Sequence, residues 1–250
     1  MSHGNKQQES SNGVWPKPVV ELTEEETALK EQVLLEFQQW GYTGILGWAQ
    51  AQGHKAVEHM ALASSVEGDS FRSLEIGCGS GYHFRHSSGD GYYGLDHSFA
   101  QLQQARAHFP DHRVLQGDVY QLPFSDSSFD RVISIYLFEH LNRLPDTLAE
   151  VRRVMKPGAE LLVALPSEGG LAYEWGRYLT SKRHFERKYK VDYLKFVRSE
   201  HCNTCNEVIA ELRKWFEIES VRYMPFLIPT VHLNATVALR CVNRAPELSR

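Results

Sequence analysis

Apolar positions early in the chain recur at helical spacing. Leu29, Val33, Phe37 and Trp40 fall on one face, behind a Thr23 and Glu26 pair with the spacing of a capping box. A glycine-broken aromatic stretch, 41–48, separates this helix from a second helical pattern that carries Val57, Met60 and Ala61. From Phe71 the texture changes to short β-prone runs alternating with helical patterns, and strands are predicted to begin at Phe71, Tyr92, Arg113, Arg131 and Glu160. Between the fourth and fifth, Leu148, Val151, Val154 and Met155 mark the buried side of a helix that Lys156, Pro157 and Gly158 are read as closing. Two late strands are predicted over 218–224 and 235–242. This alternation predicts an α/β fold with a sheet covered by helices on both faces.

Two segments fall outside the alternation. Residues 1–20 hold little apolar content before Val14 and are expected to be a disordered tail. The aromatic stretch 166–200 carries Tyr173, Trp175, Tyr178, Phe185, Tyr189, Tyr193 and Phe196, with eight Lys or Arg against five acids. It is read as a cap, over 166–210, inserted after the fifth strand above the carboxyl ends of the strands, where open α/β sheets bind ligands. The division expected is therefore a tail and one domain over 21–250, with N-terminal helices in 21–66.

At 250 residues and 42% apolar content the chain can bury one large core, and its formal charge of −4 argues against a general nucleic-acid or anionic-membrane binder. No apolar run reaches the length of a membrane span and no signal peptide is apparent, so a cytoplasmic address is expected. Cys78, Cys202, Cys205 and Cys241 are too few and scattered for a disulfide framework. Cys202 and Cys205 form a CxxC after His201, but a zinc site needs further ligands, and no metal is expected.

Candidate chemistry begins at Leu74–Gly81, where a glycine-rich turn, Glu75, Ile76, Gly77, Cys78, Gly79, Ser80, Gly81, follows an apolar strand. Glycines let the backbone turn sharply and approach a ligand closely. Asp96 closes the second strand, where a carboxylate can accept both hydroxyls of a ribose. Asp118, after the third strand, is poised to accept from an adenine amino group. A nicotinamide site is disfavoured because the glycines read GxGxG, with Tyr82 where a dinucleotide fingerprint has its third glycine.

The strings LEIGCGSG, YYGLDHS, GDVYQLPFSDSSFDRVIS and EVRRVMKPGAELLVALP stand in the order of successive motifs of the class I S-adenosylmethionine-dependent methyltransferases, so residues 71–165 resemble that family, of the type acting on small metabolites. The resemblance implies a Rossmann-like sheet of seven strands with the last antiparallel, S-adenosylmethionine as cofactor and S-adenosylhomocysteine as product. It implies that Glu75, Gly77, Gly79 and Gly81 hold the methionine end and that Asp96, with His97 beside it, holds the ribose. Asp118 and Val119 would frame the adenine, and Ser134 or Tyr136 would line the methionine side.

Methyl transfer is an in-line displacement in which alignment supplies much of the rate, and a hydroxyl acceptor also needs a base. His140, with Glu139, is the candidate, because both follow the fourth strand at its carboxyl end. Tyr42 could present a ring face to the sulfonium side of the site. Arg177, in the basic cap, and His201 are candidates for substrate contact, and the cap's charge would suit an anionic sugar or secondary metabolite. The expected function is methyl transfer to an oxygen or nitrogen of a small molecule, without a nucleic-acid partner. The alternatives are a non-catalytic cofactor-binding relative working through a protein partner, and a protein methyltransferase.

Overall fold

The computed structural model describes residues 15–40, 44–63, 70–87, 91–178 and 182–244. Among them β1 (Ser73–Ile76), β2 (Tyr92–Asp96), β3 (Arg113–Gln116), β4 (Phe129–Ile135), β5 (Met155–Pro166), β6 (Glu217–Met224) and β7 (Thr236–Val242) form one sheet in the order β3-β2-β1-β4-β5-β7-β6. The first five strands are parallel, and β7 runs antiparallel between β5 and β6. The chain reverses its direction across the sheet between β1 and β4, which opens a crevice at their carboxyl ends.

Burial follows the pattern of apolar positions. In β1 every residue is buried, and β4 is buried almost throughout, as strands covered on both faces require. One face is covered by α4 (Leu144–Val154) and α8 (Cys205–Trp215), through Leu148, Val151, Val208 and Leu212. The other is covered by α2 (Gly44–Ala63) and α3 (Phe99–His108), through Val57, Met60, Leu102 and Ala105. Across the middle of the sheet, the Arg131 guanidinium donates to Glu160 at 2.6 Å and to the Ala61 carbonyl at 3.1 Å, while Arg240 donates to the other oxygen of Glu160 at 2.9 Å. This buried network fastens α2 to β4, β5 and β7. Arg131 and Glu160 are both buried, and breaking a buried ion pair of this kind by removing one partner costs in general about 3–5 kcal/mol.

The N-terminal helices separate in their roles. The Thr23 and Glu26 capping box forms at the start of α1 (Glu24–Trp40), with Thr23 N donating to Glu26 Oε2 at 2.8 Å. Yet α1 packs on the cap, where Val33 and Leu29 meet Phe185 and Tyr193 of α6 (Arg183–Tyr189) and α7 (Tyr193–Glu200). Lys195 bonds Glu26 at 2.6 Å, and Lys30 pairs with Glu200. The cap begins with α5 (Leu171–Arg177), directly after β5.

Several boundaries differ from expectation. Helix α4 stops at Val154, and Met155 opens β5, so Lys156, Pro157 and Gly158 lie in the strand and not at a helix stop; pairing of Phe129 with Met155 overrides the local stop signal. The strands expected from Phe71 and Arg131 begin at Ser73 and Phe129. The disordered segment expected through residue 20 does not extend over Trp15 to Lys17: Lys17 is buried, 2.7 Å from Glu207, with its amide donating to the Asn142 carbonyl. Residues 1–14 and Tyr42 lie outside the described residues.

His54 of α2 and His83, in the short 3₁₀ turn Tyr82–His86, are both buried, with their Nδ1 atoms 3.4 Å apart. Burial, then the neighbouring positive charges, lowers the pKa of His54 to about 2 and that of His83 to about 3. The unfolded chain therefore binds more protons than the native one below pH ~6.5, and the stability these neutral rings carry above that pH is lost as the pH falls. Thermal melts should show stability declining from pH 7 to pH 5, on the order of 2 kcal/mol per ring at pH 5. The variant His83→Gln should show a shallower decline; a slope equal to that of the parent would mean that the native ring already carries its proton.

Candidate functional site

The glycine turn is built by the end of β1 and read by the end of β2. Gly77 and Cys78 donate to the Leu95 carbonyl at 2.7 and 3.1 Å, and Gly79 N donates to Asp96 Oδ2 at 2.8 Å. Ser98 N donates to Asp96 Oδ1 at 2.8 Å, so each oxygen of this largely buried carboxylate keeps acceptor capacity. Gly77, Gly79 and Gly81 all have positive φ, but their surroundings differ. A Cβ on Gly77 would lie 3.0 Å from Leu137 and one on Gly81 2.7 Å from Phe84, whereas at Gly79 the nearest atom is Gln101 Oε1 at 3.8 Å. Gly77 and Gly81 admit neighbouring side chains; Gly79 faces open space.

Glu75 lies behind this turn. It is buried and accepts from the Tyr92 hydroxyl at 2.8 Å, and burial, with a smaller contribution from the Asp96 charge, pushes its pKa up to about 8. Ser134 sits beside Ile76 in the register, its buried hydroxyl without a partner among the described residues. Tyr136, at φ 56°, bonds the Gln50 carbonyl and Thr236 Oγ1 through its hydroxyl, both at 3.0 Å, and holds α2 against β7. His97 is exposed beside Asp96. Asp118 is exposed just past β3, with Oδ1 accepting from Tyr120 N at 2.9 Å, and Val119 is half-buried against the core.

A second group gathers where β4 and β5 end. Glu139 is buried, and its carbonyl accepts from Cys202 N at 2.9 Å and Asn203 N at 3.1 Å. Burial, eased by the His201 charge, pushes its carboxyl up to about 7, and Oε2 has no partner among the described residues. The His140 ring packs edge-on to His201 with centroids 4.5 Å apart, and its Nδ1 lies 2.8 Å from the Glu200 carbonyl. Loss of solvent, followed by the His201 charge, sets its pKa below the ordinary value. His201 Nδ1 lies 2.7 Å from the buried Glu168, just beyond β5. Expected residues Glu139, His140 and His201 are thus brought together from distant parts of the chain.

Several site residues were not legible in the sequence. Leu137 fills the space that Gly77 leaves, and Phe99 presents an exposed ring at the start of α3, three residues past Asp96. Glu168 and Asn203 assemble the acid and histidine group; Asn203 Nδ2 donates to the Phe138 and Leu141 carbonyls, both at 2.8 Å. The Arg177 side chain lies outside the described residues. Cys205 packs into the core, and Cys202 Sγ donates to the Glu139 carbonyl. Among the described residues no three ligand side chains are placed to hold a metal ion.

Residues 74–163 match the family model described as a methyltransferase domain. The turn, the strand-end carboxylate and the sheet order all lie within or around that match. Residues 74–163 are a methyltransferase domain, and the sheet around them has the fold of the class I S-adenosylmethionine-dependent methyltransferases. It is 36% identical over 121 residues to a malonyl-[acyl-carrier protein] O-methyltransferase of Erwinia pyrifoliae, covering 48% of this chain and 44% of that protein. To a 24-methylenesterol C-methyltransferase of Oryza sativa subsp. japonica it is 33% identical over 159 residues, covering 60% of this chain and 39% of that protein. The chain thus spans less than half the length of each of these relatives. Among solved structures, an S-adenosylmethionine-dependent methyltransferase from Thermotoga maritima superposes with a TM-score of 0.60 at 18% identity, covering 87% of this chain and 99% of that one, which shows the fold.

The cofactor implied by the methyltransferase domain, S-adenosylmethionine, fits the residues present. The open side of Gly79, the remaining acceptor capacity of Asp96 and the orphaned Ser134 hydroxyl are the features a ligand with a ribose and an amino-acid end would meet. Calorimetry with S-adenosylhomocysteine should show Asp96→Ala weakening binding about tenfold to a hundredfold, from the loss of hydrogen bonds to a charged group. Gly79→Ala should weaken binding by a comparable factor while costing less stability than Gly81→Ala. Unchanged affinity in Asp96→Ala would place the ribose elsewhere.

Proposed function

We propose that the chain transfers a methyl group from S-adenosylmethionine to an oxygen or nitrogen of a small molecule, with Glu139 and His140 at the acceptor side. The observation that carries the reading is the buried Glu139 carboxyl with its unpartnered oxygen, two residues beyond the Leu137 that touches the glycine turn. Asp96 and Asp118 would hold the ribose and the adenine amino group, His97 and Val119 would flank them, and the exposed Phe99 ring offers a stacking face for the base. Gly79 and Ser134 would meet the methionine end, with Glu75 supporting the turn from behind. The bound cofactor supplies an electrophilic methyl on a sulfonium; the protein's part is to align the acceptor and take its proton.

For that proton the protein has two groups with suitable chemistry. Glu139, with its pKa raised to about 7, is ionised in part at neutral pH and is a stronger base than an ordinary carboxylate. His140 lies beside it, with Nε2 3.9 Å from Glu139 Oε1. His201, beside Glu168, closes the group on the cap side and would contact the acceptor, a role the basic Arg177 of the cap would share. Relatives that methylate oxygen and carbon show that the domain accepts several acceptor chemistries; the proton-accepting group favours an acceptor that carries a proton on the methylated atom. A soluble enzyme acting in the cytoplasm is the setting proposed.

Labelled S-adenosylmethionine incubated with the protein and fractionated metabolite extracts should yield a labelled small molecule, and label confined to protein would replace the acceptor class with a polypeptide. With that acceptor, turnover should rise with pH through an apparent pKa near 7, because the protonated Glu139 cannot accept a proton. Glu139→Gln should lower kcat about 10²- to 10⁴-fold and leave S-adenosylhomocysteine affinity intact. Unaltered turnover in that variant would mean that alignment alone drives the transfer.

A further inference from the structure

The cap and the β6–β7 connection together present an apolar surface that no described part of the chain covers. Leu171 and Trp175 stand one turn apart on α5, 65% and 66% exposed, with the exposed Tyr178 a further turn on. α5 rests on the short helical turn Val231–Leu233 of the β6–β7 connection, so closely that a Cβ on Gly170 would lie 2.2 Å from the Val231 carbonyl oxygen. That connection carries Phe226 and Leu227, 65% and 68% exposed, together with exposed Ile228 and Leu233. Both elements leave the sheet at its carboxyl edge, where Pro166 and Met224 each pair with Thr236.

The connection is held in its shape. Phe226 N donates to the buried Asn234 side chain at 3.0 Å, and Asn234 Nδ2 donates to the Ile228 and Thr230 carbonyls, both at 2.8 Å. Leu227 sits at φ 57°, a left-handed conformation costly for a branched, bulky residue, so three apolar side chains are held outward by a rigid, strained loop. Isolated exposed leucines need no explanation, but a contiguous group of aromatic and aliphatic side chains on a fixed frame marks an interaction site.

Charge identifies the partner. On a protein of net charge −4, residues 182–198 carry seven Lys or Arg against two acids; Lys182 and Lys195 pair with Glu186 and Glu26, while Arg187, Lys188, Lys190 and Arg198 are exposed. Lys182 borders a groove of about 410 Å³ shared with Glu174, Trp175, Tyr178, Tyr193 and Leu194, so the basic segment adjoins the apolar group. Aromatic and leucine side chains flanked by cations are the composition of a surface that lies in the headgroup region of an anionic bilayer. No described helix is long and apolar enough to cross a membrane, so the contact is one of surface insertion.

We propose that α5, the β6–β7 connection and the basic helices α6 and α7 form a docking surface for an anionic lipid bilayer. The proposal does not depend on methyl transfer. The test is co-sedimentation of the full chain with vesicles of phosphatidylcholine alone and with a quarter of phosphatidylserine, with Trp fluorescence read alongside. Binding is expected to the anionic vesicles, to fall in high salt, and to be accompanied by a blue shift that Trp175→Ala diminishes. Phe226→Ser with Leu227→Ser, and separately Lys188→Glu with Lys190→Glu, should each weaken binding on the order of tenfold or more. Retained S-adenosylhomocysteine binding and an unchanged circular dichroism spectrum establish that these variants are folded. Absence of binding to anionic vesicles, or binding indifferent to both pairs of substitutions, would overturn the proposal. So would sedimentation equilibrium showing a dimer of the parent chain that the Phe226 and Leu227 substitutions dissociate, because the surface would then belong to a second copy.

Discussion

Two carboxyls stand beneath the glycine turn, and the turn rests on one of them while the other is closed off behind it. Asp96 accepts from Gly79 N and Ser98 N, while Glu75 is closed off from solvent and bonded to the Tyr92 hydroxyl. With its pKa pushed up to about 8, Glu75 keeps its proton at neutral pH and adds no second anion behind the turn. Asp96 is then the carboxyl that the turn meets from below, through Gly79 N. A turn of three glycines with positive φ needs such an anchor, since glycine brings no side chain with which to hold its own shape.

That anchoring explains which parts of the fold could be read from the sequence. Short strands that end in motif residues were legible, because β1, β2 and β3 are apolar runs closed by glycine or a polar side chain at the site edge. The start of β5 was not. Met155 continues the apolar period of α4, and Pro157 and Gly158 look like a helix stop, so only the pairing with Phe129 reveals that the strand has already begun. Tertiary pairing outweighed local propensity there, and the same holds for Lys17, whose burial depends on Glu207 and the Cys202 carbonyl, far along the chain.

Within the site, what was legible was the chemistry of local strings, and what was not was assembly across distance. Glu139 and His140 could be placed at the end of β4, but nothing in the sequence joins them to Glu168, His201 and Asn203. The contacts that do so run from one strand end to the loop between α7 and α8. In the same way, three glycines that look equivalent in the string have different neighbours. Leu137 and Phe84 press on two of them and leave Gly79 open. After the turn the chain makes a brief 3₁₀ turn, and His83 in it faces His54, a contact no local pattern announces.

The loop between α7 and α8 couples the cap to the chemistry. Its backbone amides at Cys202 and Asn203 donate to the Glu139 carbonyl, and Asn203 bonds the carbonyls on either side of the Glu139 and His140 pair. α7 is in turn held by α1 near both of its ends, through the pairs Lys195 with Glu26 and Lys30 with Glu200. A displacement of α7 therefore cannot leave Glu139 unmoved without breaking buried hydrogen bonds, which are costly to leave unmade. The cap and the end of β4 form one mechanical unit, and α1, although first in sequence, belongs to it and not to the sheet.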